Sequence, residues 1–184
     1  MKLRTVTIAY ALVLAIAFAS AAAAQYESSD RSRIGLKMSV FRPTGSDLKT
    51  MNDNWLGPVL DYNVSFDEFD RPRTIVSIGS FSEQGQYTEA SVIPITATYF
   101  KRFGEDKDSA WYVGGGLGLY ITKFKYVYLN EDKNKILGYH ISAGREFSVY
   151  YVDLRLDLVN KMLYEGVDIS FSGWTLSLGS HYTF

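Results

Sequence analysis

Few residue patterns in this 184-residue chain could do chemistry. His140 and Ser142 stand two apart, an imidazole and a hydroxyl on one face if the segment is a strand. A hydrolase would also need a carboxylate to orient the histidine, and none lies suitably downstream. Asp153-x-Arg155-x-Asp157 sets three charges on one strand face, and Lys37 and Asp61 place two more in the middle of other runs. Such a row forms an ion-pair network if it is buried, because buried charges must be paired; an ion-conducting or proton-relay role is the alternative. The second histidine, His181, has no neighbouring ligand, so no metal site is expected. Cysteine is absent, which removes thiol chemistry and thiolate-ligated metals. No cofactor and no catalytic residue is expected.

The elements that hold these residues follow from periodicity. Apolar and polar residues alternate along most of the chain, the signature of strands with one apolar face. Eight runs can be marked, at about 33–42, 55–66, 73–82, 87–103, 110–124, 136–147, 150–158 and 168–184. In the first, Ile34, Leu36, Met38 and Val40 oppose Lys37 and Ser39; in the seventh, Val152, Leu154, Leu156 and Leu158 oppose the charged row. His140 and Ser142 share the polar face of the sixth, and Gly114, Gly116 and Gly118 leave room on that of the fifth. Charged or polar turns separate the runs. Those at 42–54, 82–86, 128–135 and 160–167 fall at one end of the strands, and those at 67–72, 104–109 and near Ser148 at the other.

Two segments lie outside this alternation. Lys2 and Arg4 precede an apolar stretch from Val6 to Ala19, and Ala22-Ala23-Ala24 then fits a signal-peptidase site, so residues 1–24 read as an export signal and 25–184 as one mature domain. Two of the 19 basic residues leave with that segment, so 17 face the 20 acidic ones, a formal charge near −3. There is no basic patch for nucleic acid.

Alternation alone cannot say which face points inward. Three features turn the apolar face outward, toward lipid. Aromatics make up 15% of the chain and gather near strand ends. One belt would hold Phe66, Phe69, Tyr99, Phe103, Trp111, Phe147, Tyr150, Tyr182 and Phe184; the other would hold Phe41, Trp55, Phe81, Tyr87, Phe124, Tyr126, Tyr164 and Phe171. The polar face carries charges in mid-strand. The chain also ends Trp174, Leu176, Leu178, Tyr182 and Phe184 at every second place, apart from Ser180. Backbone in hydrocarbon must be fully paired, and a closed sheet achieves that. The expected fold is therefore all-β: an eight-stranded antiparallel up-and-down transmembrane barrel, its lumen filled by side chains at this strand number.

The C-terminal pattern resembles the β-signal that outer-membrane barrels present to the barrel-assembly machinery. The segments 92–96, 112–118 and 138–144 resemble strands of the small OmpA/OmpX/OmpW-like barrels. The resemblance implies a bacterial outer-membrane location. It also implies lipid, lipopolysaccharide, periplasmic chaperones and the assembly machinery as partners; the oligomeric state stays open, with a monomer favoured. His140-x-Ser142 is similar to the spacing in outer-membrane lipid A deacylases, but Ala143 stands where that family has Asn. Pro94 lies inside a strand, where it deletes a ladder hydrogen bond. It marks either a bulge or, as the OmpW-like resemblance implies, a lateral gap. Three functional readings follow, in order: a structural or surface-interaction barrel, a narrow channel for small or hydrophobic solutes, and a lipid A-modifying enzyme.

Overall fold

The computed structural model describes residues 34–66, 71–104, 109–126, 131–148 and 150–182. Eight staves close on themselves. They are β1 (Ile34–Pro43), β2 (Trp55–Phe66), β3 (Pro72–Gly79) continued by β4 (Phe81–Gln84), β5 (Thr88–Phe103), β6 (Ser109–Tyr126), β7 (Asp132–Phe147), β8 (Tyr150–Val159) and β11 (Gly173–Tyr182). Each pairs antiparallel with the next, β1 pairs with β11, and β3 pairs with both β2 and β5, which closes the barrel, while β4 pairs with β5 alone. Closure satisfies the backbone that an open sheet would leave unpaired.

The two-residue period sets the sides. Leu56, Leu60, Val76, Ile78, Val113, Leu117, Leu137, Ile141, Leu154 and Leu176 point outward, whereas Lys37, Asp61, Ser77, Thr98, His140, Asp153, Arg155, Asp157 and Thr175 are buried in the lumen. The wall is uneven in height: β5, β6 and β7 run 16, 18 and 16 residues, against 10 for β1, β8 and β11. A strand of about 10 residues suffices to cross the apolar layer of a bilayer, so the long staves extend beyond it.

Three details depart from the sequence reading. The third run is interrupted at Ser80, opposite the Ile93–Pro94 stretch. Ile78 faces Ile95 and Phe81 faces Val92, so no residue is inserted; the ladder lapses where proline has no N–H to give. The Ser80 N–H instead donates to the Pro58 carbonyl at 3.1 Å. The last barrel strand begins at Gly173 rather than near 168. Glu165 (φ 48°) and Gly166 (φ 81°) make a tight turn that folds β10 (Val167–Ile169) back on β9 (Met162–Tyr164) as a separate hairpin. The aromatic belt at the end away from Ile34 is the third correction, in part, for Tyr87 and Tyr126 are exposed there. Phe41, Trp55, Phe81, Phe124, Tyr164 and Phe171 are buried inside the barrel end, not turned to lipid. They lie in register with the lumen face, and the hairpin and the helical turn α1 (Ser46–Lys49), through Leu48, close over them.

Candidate functional site

The lumen is the first place to look for chemistry, and it divides into layers. Nearest the end at which β1 begins and β11 finishes, Asp61 is 1% exposed and satisfied three ways. Lys37 reaches it at 3.0 Å, the Ser77 hydroxyl donates at 2.6 Å and the Tyr151 hydroxyl at 2.8 Å. Close by, Arg102 forks onto Glu146, its Nε donating at 2.9 Å. A small void among Lys37, Asp61, Arg102, Tyr112, Glu146 and Asp153 is of roughly one water's size.

The middle layer holds the charged row. Arg155 donates from Nε to Asp157 at 3.1 Å, and Asp157 also accepts from the Tyr120 hydroxyl at 2.6 Å and from Thr175 at 3.1 Å. Asp153 makes no ion pair among the described residues; it accepts a long hydrogen bond of 3.3 Å from the Tyr112 hydroxyl. The row is thus not one continuous network. Two ion pairs, Lys37–Asp61 and Arg155–Asp157, sit on either side of a carboxylate held by a tyrosine. Across the β1–β11 seam the Ser39 and Ser177 hydroxyls join at 2.8 Å.

Each of Tyr112, Tyr120 and Tyr151 reaches a buried carboxylate, and none of the three was picked out by sequence reasoning. A signal existed, in glycines at neighbouring lumen positions. The Tyr120 ring lies across Gly118 and Gly138, where an added Cβ would come within 2.8 and 2.9 Å of ring carbon Cε2. Arg102 and Glu146 were missed as well. Each sits at a strand end beside another charged residue, Lys101 or Arg145, and a pair 44 residues apart in sequence leaves no local pattern.

His140 and Ser142 both face the lumen and are buried. The imidazole Nε2 is 2.7 Å from the Thr98 hydroxyl, while Ser142 Oγ and His140 Nδ1 make no hydrogen bond to protein. Ser142 therefore lacks the base contact that would activate it. Pro94 is also inward and packs beside Gly79, in line with Tyr120 of β6. Among the described residues no three metal-ligating side chains converge, and no helix is long and apolar enough to cross a membrane.

Beyond the middle layer the lumen becomes apolar. Phe41 packs edge-on to Trp55 at 5.7 Å, and Phe124 edge-on to Tyr164 at 5.1 Å. Met162, Ile169 and Phe171 complete a stopper, and the exterior differs from it at both rims. At the end at which β1 begins and β11 finishes, Tyr99, Phe103, Trp111, Phe147 and Tyr150 face outward. Arg145 stacks over Trp111 and Phe147, at 5.2 and 4.8 Å from their ring centres. Of the C-terminal pattern, Trp174, Leu176 and Leu178 face outward. Tyr182 lies on β11, and Phe184 is outside the described residues.

At the far rim the Glu131 carboxylate bridges Lys123 and Lys133, each at 2.8 Å. Hydrogen bonds from Lys123 and then Lys133 push Glu131 down to about 2, and the same contacts hold the Lys123 ammonium above its ordinary range.

A closed antiparallel barrel of eight staves, aliphatic outside and ionic within, has the fold of the small outer-membrane barrels. A solved structure at 12% identity shares it. Neisserial surface protein A superposes with a TM-score of 0.60 at 12% identity, covering 82% of this chain and 96% of that one. The N-terminal barrel domain of Pseudomonas aeruginosa OprF gives 0.49 at 13% identity, covering 84% and 98%. Ail, the attachment invasion locus protein of Yersinia pestis, gives 0.46 at 18% identity, covering 82% and 95%. No protein-family model matches the sequence, and no curated protein matches it significantly.

Proposed function

We propose that the chain is an integral protein of a bacterial outer membrane, exported by its first 24 residues, that acts through its lipid-facing wall and external surface and not as a diffusion pore. One observation carries this reading: the inside-out distribution of polarity. Leu60, Ile78, Leu117, Leu137, Leu154 and Leu178 lie on the outside, while Lys37, Asp61, Arg155 and Asp157 are sealed within. In water the outward side chains would form an apolar patch far larger than soluble monomers tolerate. In a bilayer the same wall is solvated by acyl chains.

The filled lumen supports a structural or surface-interaction role. Among the described residues the polar layers surround a void of about one water's size, and the aromatic stopper lies beyond them. Catalysis is not part of this reading, because His140 is engaged by Thr98 and Ser142 is buried away from any base. Outer-leaflet lipid and lipopolysaccharide are the expected contacts of the wall. Periplasmic chaperones and the assembly machinery are the expected readers of the stretch from Trp174 to Phe184. A second reading, a narrow channel for small or hydrophobic solutes, draws support from the lapse in pairing beside Pro94.

The test is gel mobility in SDS with and without boiling, on mature protein refolded into detergent. A folded membrane barrel resists SDS and changes mobility only when heated. A monomer that stays folded in plain buffer, with no detergent or lipid, would show that the apolar faces point inward and would end the proposal.

A further inference from the structure

The long staves β6 and β7 carry a group of cations that the lumen does not use. On their outward face Ile121 lies opposite Lys135 and Lys123 opposite Lys133, and one rung further along β6 is Lys125, opposite Glu89 of β5. Two lysines facing each other across an antiparallel pair repel. Here Glu131 offsets that repulsion by taking both ammonium groups, and Glu89 adds a contact to Lys123 at 3.0 Å. Lys125 and Lys135 form no ion pair among the described residues. Four ammonium groups thus face two carboxylates, leaving positive charge in excess. Asp132 alternates to the other face and accepts from Asn134 at 3.2 Å.

Directly below the lysines is the most exposed part of the apolar wall. Leu117 and Leu137 are 72% and 70% exposed, and two residues on from Leu117 the outward Gly115 leaves a dent. Cations above an aliphatic strip match a molecule with anionic groups at one end and alkyl chains at the other. The ammonium groups supply point-charge contacts of the kind that bind lipid headgroups.

We propose that this ledge docks a phosphate-bearing glycolipid of the outer leaflet, its phosphates on Lys125 and Lys135 and its acyl chains along Ile121, Leu137 and Leu117. The assignment rests on the membrane orientation proposed above and adds a defined site to it. Glu131 keeps Lys123 and Lys133 apart from direct repulsion and fixes the ledge, so the two unpaired lysines carry the contact.

The experiment is native mass spectrometry of the detergent-folded mature barrel, with lipid A bearing two phosphates, dephosphorylated lipid A, and inorganic phosphate as probes. A one-to-one adduct with the phosphorylated lipid is expected, weakened about tenfold in K125Q/K135Q and in dephosphorylated lipid, and not displaced by millimolar inorganic phosphate. Equal retention of both lipids, or an unchanged adduct in the variant, overturns the site. Displacement by inorganic phosphate overturns its lipid character. Heat-modifiable mobility of K125Q/K135Q shows that the variant is folded. If it is not, loss of the wild-type adduct between 0.05 and 0.5 M salt reads the same charge dependence, and salt-insensitive binding counts against the ledge. A wild-type chain that needs no detergent would sink the membrane reading itself, whereas a heat-modifiable barrel indifferent to lipid phosphate sinks only this site.

Discussion

At the scale of single residues, the lumen shows how a narrow barrel accommodates charge. Asp157 is 1% exposed and holds three donors, of which Arg155 alone is cationic. Replacing the guanidinium by an isobutyl group leaves Tyr120 and Thr175 in place but removes the counter-charge. Breaking a buried pair from one side costs about 3–5 kcal/mol, and the two surviving donors put Arg155→Leu near the lower figure. The unfolding midpoint in urea of the detergent-folded variant should fall accordingly, and an unchanged midpoint would mean that Asp157 does not depend on Arg155. Removing both charges together, as Arg155→Leu with Asp157→Leu, should restore part of the loss, since the cost lies in the stranded carboxylate and not in the missing bond.

At the scale of elements, the strand faces were legible and the barrel's outer end was not. Alternation in β1, β6, β7 and β8 placed Lys37, Gly116, His140 and Arg155 on the lumen side because a pleated strand turns successive side chains to opposite faces. The same rule holds for Phe41, Phe81 and Phe124, which sit at lumen-facing positions. They were sorted instead by height along the strand, and height does not distinguish a lipid-facing belt from an apolar stopper. The β9–β10 hairpin was hidden for a different reason. Three residues on each side of Glu165-Gly166 are too few for a period to declare itself, so Met162–Val167 reads as part of a turn and Asp168-Ile169 as the start of the final strand. Phe171 tests the stopper as an element. It is fully buried among Phe41, Trp55 and Ile169 at the closed end. Phe171→Ala should destabilise the folded barrel by about 3–5 kcal/mol, read as a lower heat-transition temperature in the gel-shift assay while the shift itself persists. A variant as heat-resistant as the parent would mean that the aromatic layer only fills space above a barrel held by its wall.

At the scale of the whole molecule, the wall and its filling impose opposite requirements. The wall needs aliphatic residues outside because lipid cannot hydrogen-bond, and the filling needs charges paired inside because a barrel of eight staves has no room for bulk water. The two closures lie in series along the axis. The Lys37–Asp61 and Arg155–Asp157 layers occupy one length of the lumen, and the stopper of Phe41, Trp55, Phe81, Met162 and Phe171 occupies the next. On the proposed reading, ion flow would have to break both. Planar-bilayer recordings of the purified barrel should therefore show no steady unitary steps. A variant lacking residues 160–172, with a short turn joining β8 to β11, should also stay closed, because the ionic layers remain. Steady ohmic steps from the wild-type protein would favour the channel reading. Steps appearing only in the shortened variant would show that the aromatic stopper, and not the ion pairs, is what seals the tube.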